Sequence, residues 1–156
     1  MKKRGWILLL AAVLLLLAAG CGGSEKILST EGVPQEVLQS AQYKAALAEE
    51  TATVIAYNYV PLTDSAPVRA AVKKMQAGED AELRYYNFYD RNDSQGIDGM
   101  RLTVKDGVAA FQEASLTGYG DTVDWENVLY QQAEEIKLNS CGELSLIESM
   151  DHTYIV

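Results

Sequence analysis

The chain has 156 residues, 22 acidic against 13 basic, with a formal net charge of −9. That excess of negative charge argues against a nucleic-acid partner, whose phosphates it would repel, and the length suits one domain with its own core. Two cysteines, Cys21 and Cys141, exclude a disulfide framework.

The first residues are Met1, Lys2, Lys3 and Arg4, and residues 6–19 are fourteen apolar residues without a charge. As a helix this run is about 21 Å long, short of the roughly 20 residues needed to cross a hydrocarbon core. A basic start, a short apolar core and small residues at its end are the layout of a secretion signal. Leu17-Ala18-Ala19-Gly20-Cys21 resembles the lipobox of bacterial lipoproteins. The resemblance covers residues 1–21 only. It implies that residues 1–20 are removed and that Cys21, the new first residue, carries a diacylglyceryl thioether. Two acyl chains hold a protein stably at a bilayer, whereas one does not.

The resemblance also implies a location: a membrane partner through the lipid anchor, on the cell membrane or the outer membrane, with the domain outside the cytoplasm. Gly22, where a retention signal would place aspartate, favours the outer membrane in an envelope that has two. Residues 21–33 form the lipidated cysteine and a flexible linker, in which Gly22, Gly23 and Ser24 let the domain stand off the bilayer. Thirteen basic residues less the three of the leader leave ten against 22, a formal charge of −12. So acidic a domain does not suit a surface of anionic lipid. With Cys21 acylated, Cys141 has no partner in the chain and reads as a buried, inert thiol.

Residues 34–156 form a single domain. Pro34 opens a helical stretch to Glu50, with Glu36 near the positive end of the dipole and a weak apolar face at Val37, Leu38, Ala41, Ala45 and Ala48. Residues 51–60, TATVIAYNYV, read as a strand. A second helix follows from Ser65 as N-cap, with Pro67 in its first turn and Gly78 as terminator. Residues 82–89 read as a strand, and residues 100–116 as two strands turning at Asp106-Gly107, the strongest short-range hairpin signal. In the first of these, Leu102 and Val104 share one face while Arg101, Thr103 and Lys105 share the other. Asp124 caps an expected third helix over 125–135, residues 136–149 suggest a hairpin turning at 140–143, and 152–156 end the chain on a strand pinned in the sheet. The order predicts an α+β domain, a mostly antiparallel sheet with two or three helices packed on it, with a half-closed or cystatin-like arrangement as one way to fit.

The stretch DRNDSQGIDG at 90–99 has oxygen-bearing residues at alternate positions, Asp90, Asn92, Ser94 and Asp98, as hard cations favour. It resembles an EF-hand loop only in part. Gln95 stands where that loop has glycine and Arg101 where it has glutamate, so an inter-strand loop of ordinary turn formers is the stronger reading. Tyr85, Tyr86, Phe88 and Tyr89 place aromatics on both faces of one strand. One set belongs to the core, and the other suits a ligand or interface. Cys141 and His152 could form a nucleophilic pair but lack a surrounding motif or an orienting third group. One histidine and one thiol do not make a zinc set. Carboxylates are plentiful, Asp121, Asp124, Glu126, Glu134 and Glu135 among them, and Glu134-Glu135 reads as a solvated face. No cofactor fingerprint is present.

These readings converge on a lipid-anchored extracytoplasmic domain that binds a protein or a cell-wall ligand at the envelope without chemistry of its own. Two alternatives stand beside it: a small envelope hydrolase, and an inhibitor or immunity-type lipoprotein whose acidic surface suits a basic target.

Overall fold

The computed structural model describes residues 27–91, 94–133, 135–138, 143–147 and 152–155. It is an α+β fold whose main sheet is mostly antiparallel, as the order of elements predicts.

The first helical stretch is two helices, α1 (Gln35–Gln39) and α2 (Ala41–Ala48). Ser40 makes the break: it is extended, at φ −60° and ψ 153°, and its Oγ accepts the Tyr43 amide at 3.1 Å as the N-cap of α2. The strand predicted over 51–60 is a hairpin of β1 (Ala52–Tyr57) and β2 (Val60–Pro61) around a two-residue turn. Helix α3 (Ala66–Gln76) follows, with Pro67 in its first turn, and the chain leaves it at Gly78 with φ +76°. Ser65 is its N-cap residue, as expected, but the Ser65 side chain makes no cap hydrogen bond. The first amide, Ala66, donates instead to Asp64 Oδ1 at 2.9 Å, while Ser65 Oγ accepts from Arg69.

Strands β3 (Ala81–Arg91), β4 (Ser94–Lys105) and β5 (Val108–Thr117) form a long antiparallel meander. The β4–β5 turn is Asp106-Gly107, at φ +51° and +76°, the left-handed pair that a tight hairpin requires. β1 lies parallel to β3, with α3 as the crossover between them. The predicted third helix is one 3-10 turn at Trp125–Asn127. Asp124 caps it as expected, accepting the Glu126 amide at 3.2 Å. It stops because the Gln112 amide donates to the carbonyls of Trp125 (2.8 Å) and Val128 (2.6 Å), pulling the chain into extended form. Gln131–Gln132 then adds β6 to β5, giving the sheet order β2-β1-β3-β4-β5-β6.

Strands β7 (Glu135–Leu138), β8 (Glu143–Ile147) and β9 (His152–Ile155) form a second, three-stranded antiparallel sheet. The predicted hairpin and terminal strand are therefore real, but they pair with each other rather than with the main sheet. β7 meets α3, where Gln76 donates to the Ile136 carbonyl at 3.1 Å.

Strict alternation along the meander buries both faces of the main sheet. Val54, Leu83, Met100, Leu102 and Phe111 pack under Val68, Val72 and Met75 of α3. Ile55, Tyr86, Phe88 and Ile97 pack on the other side under Val37, Tyr43 and Ala46 of α1 and α2, closed by Tyr119 and Trp125.

Candidate functional site

On the α1/α2 face the apolar cover stops short of one end of the sheet. There β3 presents Glu82 and Arg84, β4 presents Arg101 and Thr103, and β5 presents Gln112. The strand register sets Arg84 directly opposite Arg101. Two like charges facing each other across a ladder are destabilising. Glu82 resolves this by taking both: its Oε1 accepts from Arg84 Nε at 2.9 Å and from Arg101 Nε at 3.0 Å, and its Oε2 accepts from Arg101 Nη2 at 3.0 Å. Arg84 continues to Glu49, just past α2, through Nη1 at 2.8 Å. The result is a ladder of alternating sign, Glu49–Arg84–Glu82–Arg101.

Each end of the ladder is built into the fold. Glu49 Oε1 also accepts from the Tyr86 hydroxyl at 2.9 Å, and that hydroxyl accepts from the Trp125 indole at 3.1 Å. Trp125 has room because Gly99 lies beneath it; a Cβ there would stand 3.2 Å from the indole. At the other end Arg101 Nη1 lies 3.4 Å from both Gln112 Oε1 and the Tyr130 hydroxyl, and Gln112 itself is fully buried. The Tyr130 ring is 59% exposed and Leu129 beside it 85%.

Electrostatics locks these charges in place. Burial alone would raise the Glu82 carboxyl, but the hydrogen bonds and charges of Arg101 and Arg84 outweigh it and hold it below the ordinary carboxylate value. Burial alone would also lower the Arg84 guanidinium, yet Glu49 and Glu82 hold it above its usual value. Burial, reinforced by Glu49 and opposed by the Trp125 indole, pushes the Tyr86 hydroxyl up to about 12. At neutral pH the tyrosine is therefore a hydrogen-bond donor, and the two carboxylates and two guanidinium groups of the ladder compensate one another.

A depression flanks each end. One, of about 250 Å3, lies beside Glu49 and includes Glu50, Thr53, Thr63 and Asp64. The other, an open groove of about 630 Å3, includes Asp80, Glu82, Arg101, Thr103, Lys105 and Tyr130. Polar groups of both signs beside an exposed aromatic ring suit recognition of a polar surface, in which the ring supplies contact area and the ladder supplies donors and acceptors.

Of the residues singled out by sequence, Tyr86 meets the ladder through its hydroxyl on Glu49, and the others fall elsewhere. Tyr85, Tyr86 and Phe88 are buried, Tyr85 under α3 and the other two on the α1/α2 side, so the aromatic strand is core. Tyr89 is half-buried against Gly96 of β4, where a Cβ would collide with its ring, and its carbonyl accepts from Tyr119 Oη at 2.8 Å. The stretch 90–99 is strand at both ends rather than a loop, since Asp90 pairs with Gln95 and Asn87 with Asp98. Asp90 thus lies on the face opposite Ser94 and Asp98. It accepts from Gln95 at 3.1 Å, while Asp98 accepts from Ser115 at 2.8 Å. Asn92 lies outside the described residues, as do Cys21, Glu134 and Cys141; His152 begins β9. Among the described residues no group of three His, Cys, Asp or Glu side chains is placed to hold a metal ion.

The ladder itself was missed from sequence apart from one signal, the polar face of Arg101, Thr103 and Lys105. Among the described residues no helix is long and apolar enough to cross a membrane. No family model, curated protein or solved structure matches the chain.

Proposed function

We propose that the protein is a lipid-anchored lipoprotein of the cell envelope, whose domain outside the cytoplasm binds a protein or cell-wall partner through the ladder and its groove. The observation that carries the binding role is the ladder ending at exposed Tyr130 beside the 630 Å3 groove, on a domain whose other aromatic cluster is spent in the core. Glu49 and Glu82 are each engaged by guanidinium groups, which suits recognition better than the hydrolase reading, where a carboxylate must exchange protons with substrate. The lipobox-like segment ending at Cys21 supports the anchor.

The test uses two probes. A photo-cross-linking residue at position 130 of the full chain reports protein partners in intact cells, and retention on purified cell-wall sacculi reports a glycan or peptide ligand. A discrete cross-link that is lost when Lys105→Glu is added, or saturable retention that is lost in the Tyr130→Ala, Lys105→Glu double variant, is the expected result. The absence of both in the wild-type protein would refute the site. Separately, Cys21→Ser should abolish lipid labelling and release the protein from membranes.

A further inference from the structure

Among the described residues seven large hydrophobic side chains are exposed, and four of them, Ile27, Leu28, Tyr59 and Val60, gather at the β2 edge of the main sheet. Ile27 bridges to Thr63, and the Leu28 amide donates to the Leu62 carbonyl at 2.7 Å, so residues 27–28 run along the outer side of the segment that follows β2. Leu28 and Val60 are 64% and 63% exposed. Tyr59 is more unusual. It and Asn58 form the β1–β2 turn with φ +66° and +48°, a conformation that favours glycine and that side chains with a Cβ adopt at a cost.

The fold holds this turn from three directions. The Tyr59 amide donates to Asn87 Oδ1 at 2.8 Å, the Asn58 amide to the Phe88 carbonyl at 2.8 Å, and the Asp90 amide to Asn58 Oδ1 at 3.2 Å. Arg91 lies over the Tyr59 ring, 4.4 Å from its centroid. A strained backbone is thus used to hold an aromatic ring and its guanidinium at the rim of an exposed apolar edge.

Ile27 is six residues after Cys21. Fully extended, six residues reach about 20 Å, so this edge begins within that distance of an acyl group on Cys21. We propose that the β2 edge is the membrane-facing surface of the domain, with Ile27, Leu28, Tyr59 and Val60 seated in the headgroup layer of the bilayer that holds the anchor. The inference rests on the lipid-anchor reading. An aromatic ring with a polar tip and a guanidinium on an apolar rim are the side chains that settle at this boundary. The contact area is small, but the tether makes docking intramolecular, at an effective concentration in the millimolar range for a short flexible linker. The acidic remainder of the domain is repelled by anionic lipid, so docking is strongest on zwitterionic lipid.

The test is tryptophan quenching by brominated acyl chains in phosphatidylcholine vesicles carrying the lipidated chain. Once the leader is removed Trp125 is the sole tryptophan, and it is buried. Val60→Trp and, at an exposed residue of β5, Ser115→Trp each add one probe at a surface position. Seating a side chain about 5–10 Å into the boundary should cut the added emission at position 60 by about twofold or more, with none of this at position 115. Vesicles that retain the protein but leave position 60 as bright as position 115 would overturn the docking alone. Wild-type protein that fails to float with the vesicles would overturn the anchor, and the docking with it.

Discussion

Glu82 is the residue on which the ladder depends, and Glu82→Gln tests this with almost no change of shape. The carboxylate accepts three charge-assisted hydrogen bonds, at 2.9, 3.0 and 3.0 Å, and separates Arg84 from Arg101 directly across the strands. The amide keeps one acceptor oxygen but loses the charge, and its NH2 faces a guanidinium. Charge-assisted bonds contribute about 1.5–3 kcal/mol each when buried. The Glu82 side chain is 27% exposed, so screening and the residual amide contact reduce the loss. A net cost of about 2 kcal/mol follows, and for a domain of this size that lowers Tm by roughly 6–10 °C.

The pH dependence supplies a sharper check. The folded-state pKa of Glu82 is lowered, so its stabilisation is fully present above the unfolded-state value and is lost as pH falls through the folded one. Thermal unfolding followed by circular dichroism should therefore show a wide gap between wild type and Glu82→Gln at pH 7. The gap should narrow as acid protonates the wild-type carboxyl. Equal Tm values at pH 7, or a gap unchanged in acid, would refute the account of the ladder.

Other expectations follow from neighbouring contacts. Gln112→Ala removes a donor from the carbonyls of Trp125 and Val128 and empties a fully buried position; denaturant unfolding should show a loss of about 2–4 kcal/mol. Gly99→Val puts methyl groups where the Trp125 indole lies, so Trp125 emission should shift to the red as the ring is displaced toward solvent. Tyr59→Gly removes a residue held at φ +66°, and relief of that strain should leave Tm equal or raised despite the lost contact with Arg91, while weakening membrane docking. Tyr130→Ala removes a ring that is 59% exposed, so Tm should stay within about a degree of wild type, and any effect should appear in partner capture.

What the sequence revealed depended on how local the deciding contact is. Asp106-Gly107 specifies its own turn, and the Leu102/Val104 alternation specifies the buried face of β4; both are as read. The helix predicted over 125–135 failed because a side chain thirteen residues from Trp125, Gln112, donates to the carbonyls of both Trp125 and Val128 and holds the chain extended at Val128. The turn inside 51–60 was hidden because its central residues are Asn58 and Tyr59, and nothing local marks a tyrosine as left-handed. The ladder was hidden for a related reason. Glu82-x-Arg84 and Arg101-x-Thr103 show the right period, but only the β3–β4 register sets Arg84 opposite Arg101, and the chemistry lies in that pairing.

The two surfaces lie toward opposite ends of one sheet, and this bears on how the domain would work. β2 is one edge, while Arg101 is on β4, three strands inward from it, and Tyr130 immediately precedes β6 at the far edge. At about 4.8 Å per strand, some 14 to 24 Å of sheet separates the proposed membrane edge from the ladder's outer end. If the β2 edge sits in the headgroups, the groove beside Arg101 and Tyr130 faces away from the bilayer. Its partner then arrives from the envelope space, not from the lipid. A partner embedded in the membrane beside the anchor would instead meet the β2 edge and compete with lipid for Tyr59. Cross-links at positions 60 and 130 should therefore fall on different molecules: lipid at the first and the recognised partner at the second. The same partner at both positions would mean that the domain lies flat, and would remove the basis for treating the two ends of the sheet as separate surfaces.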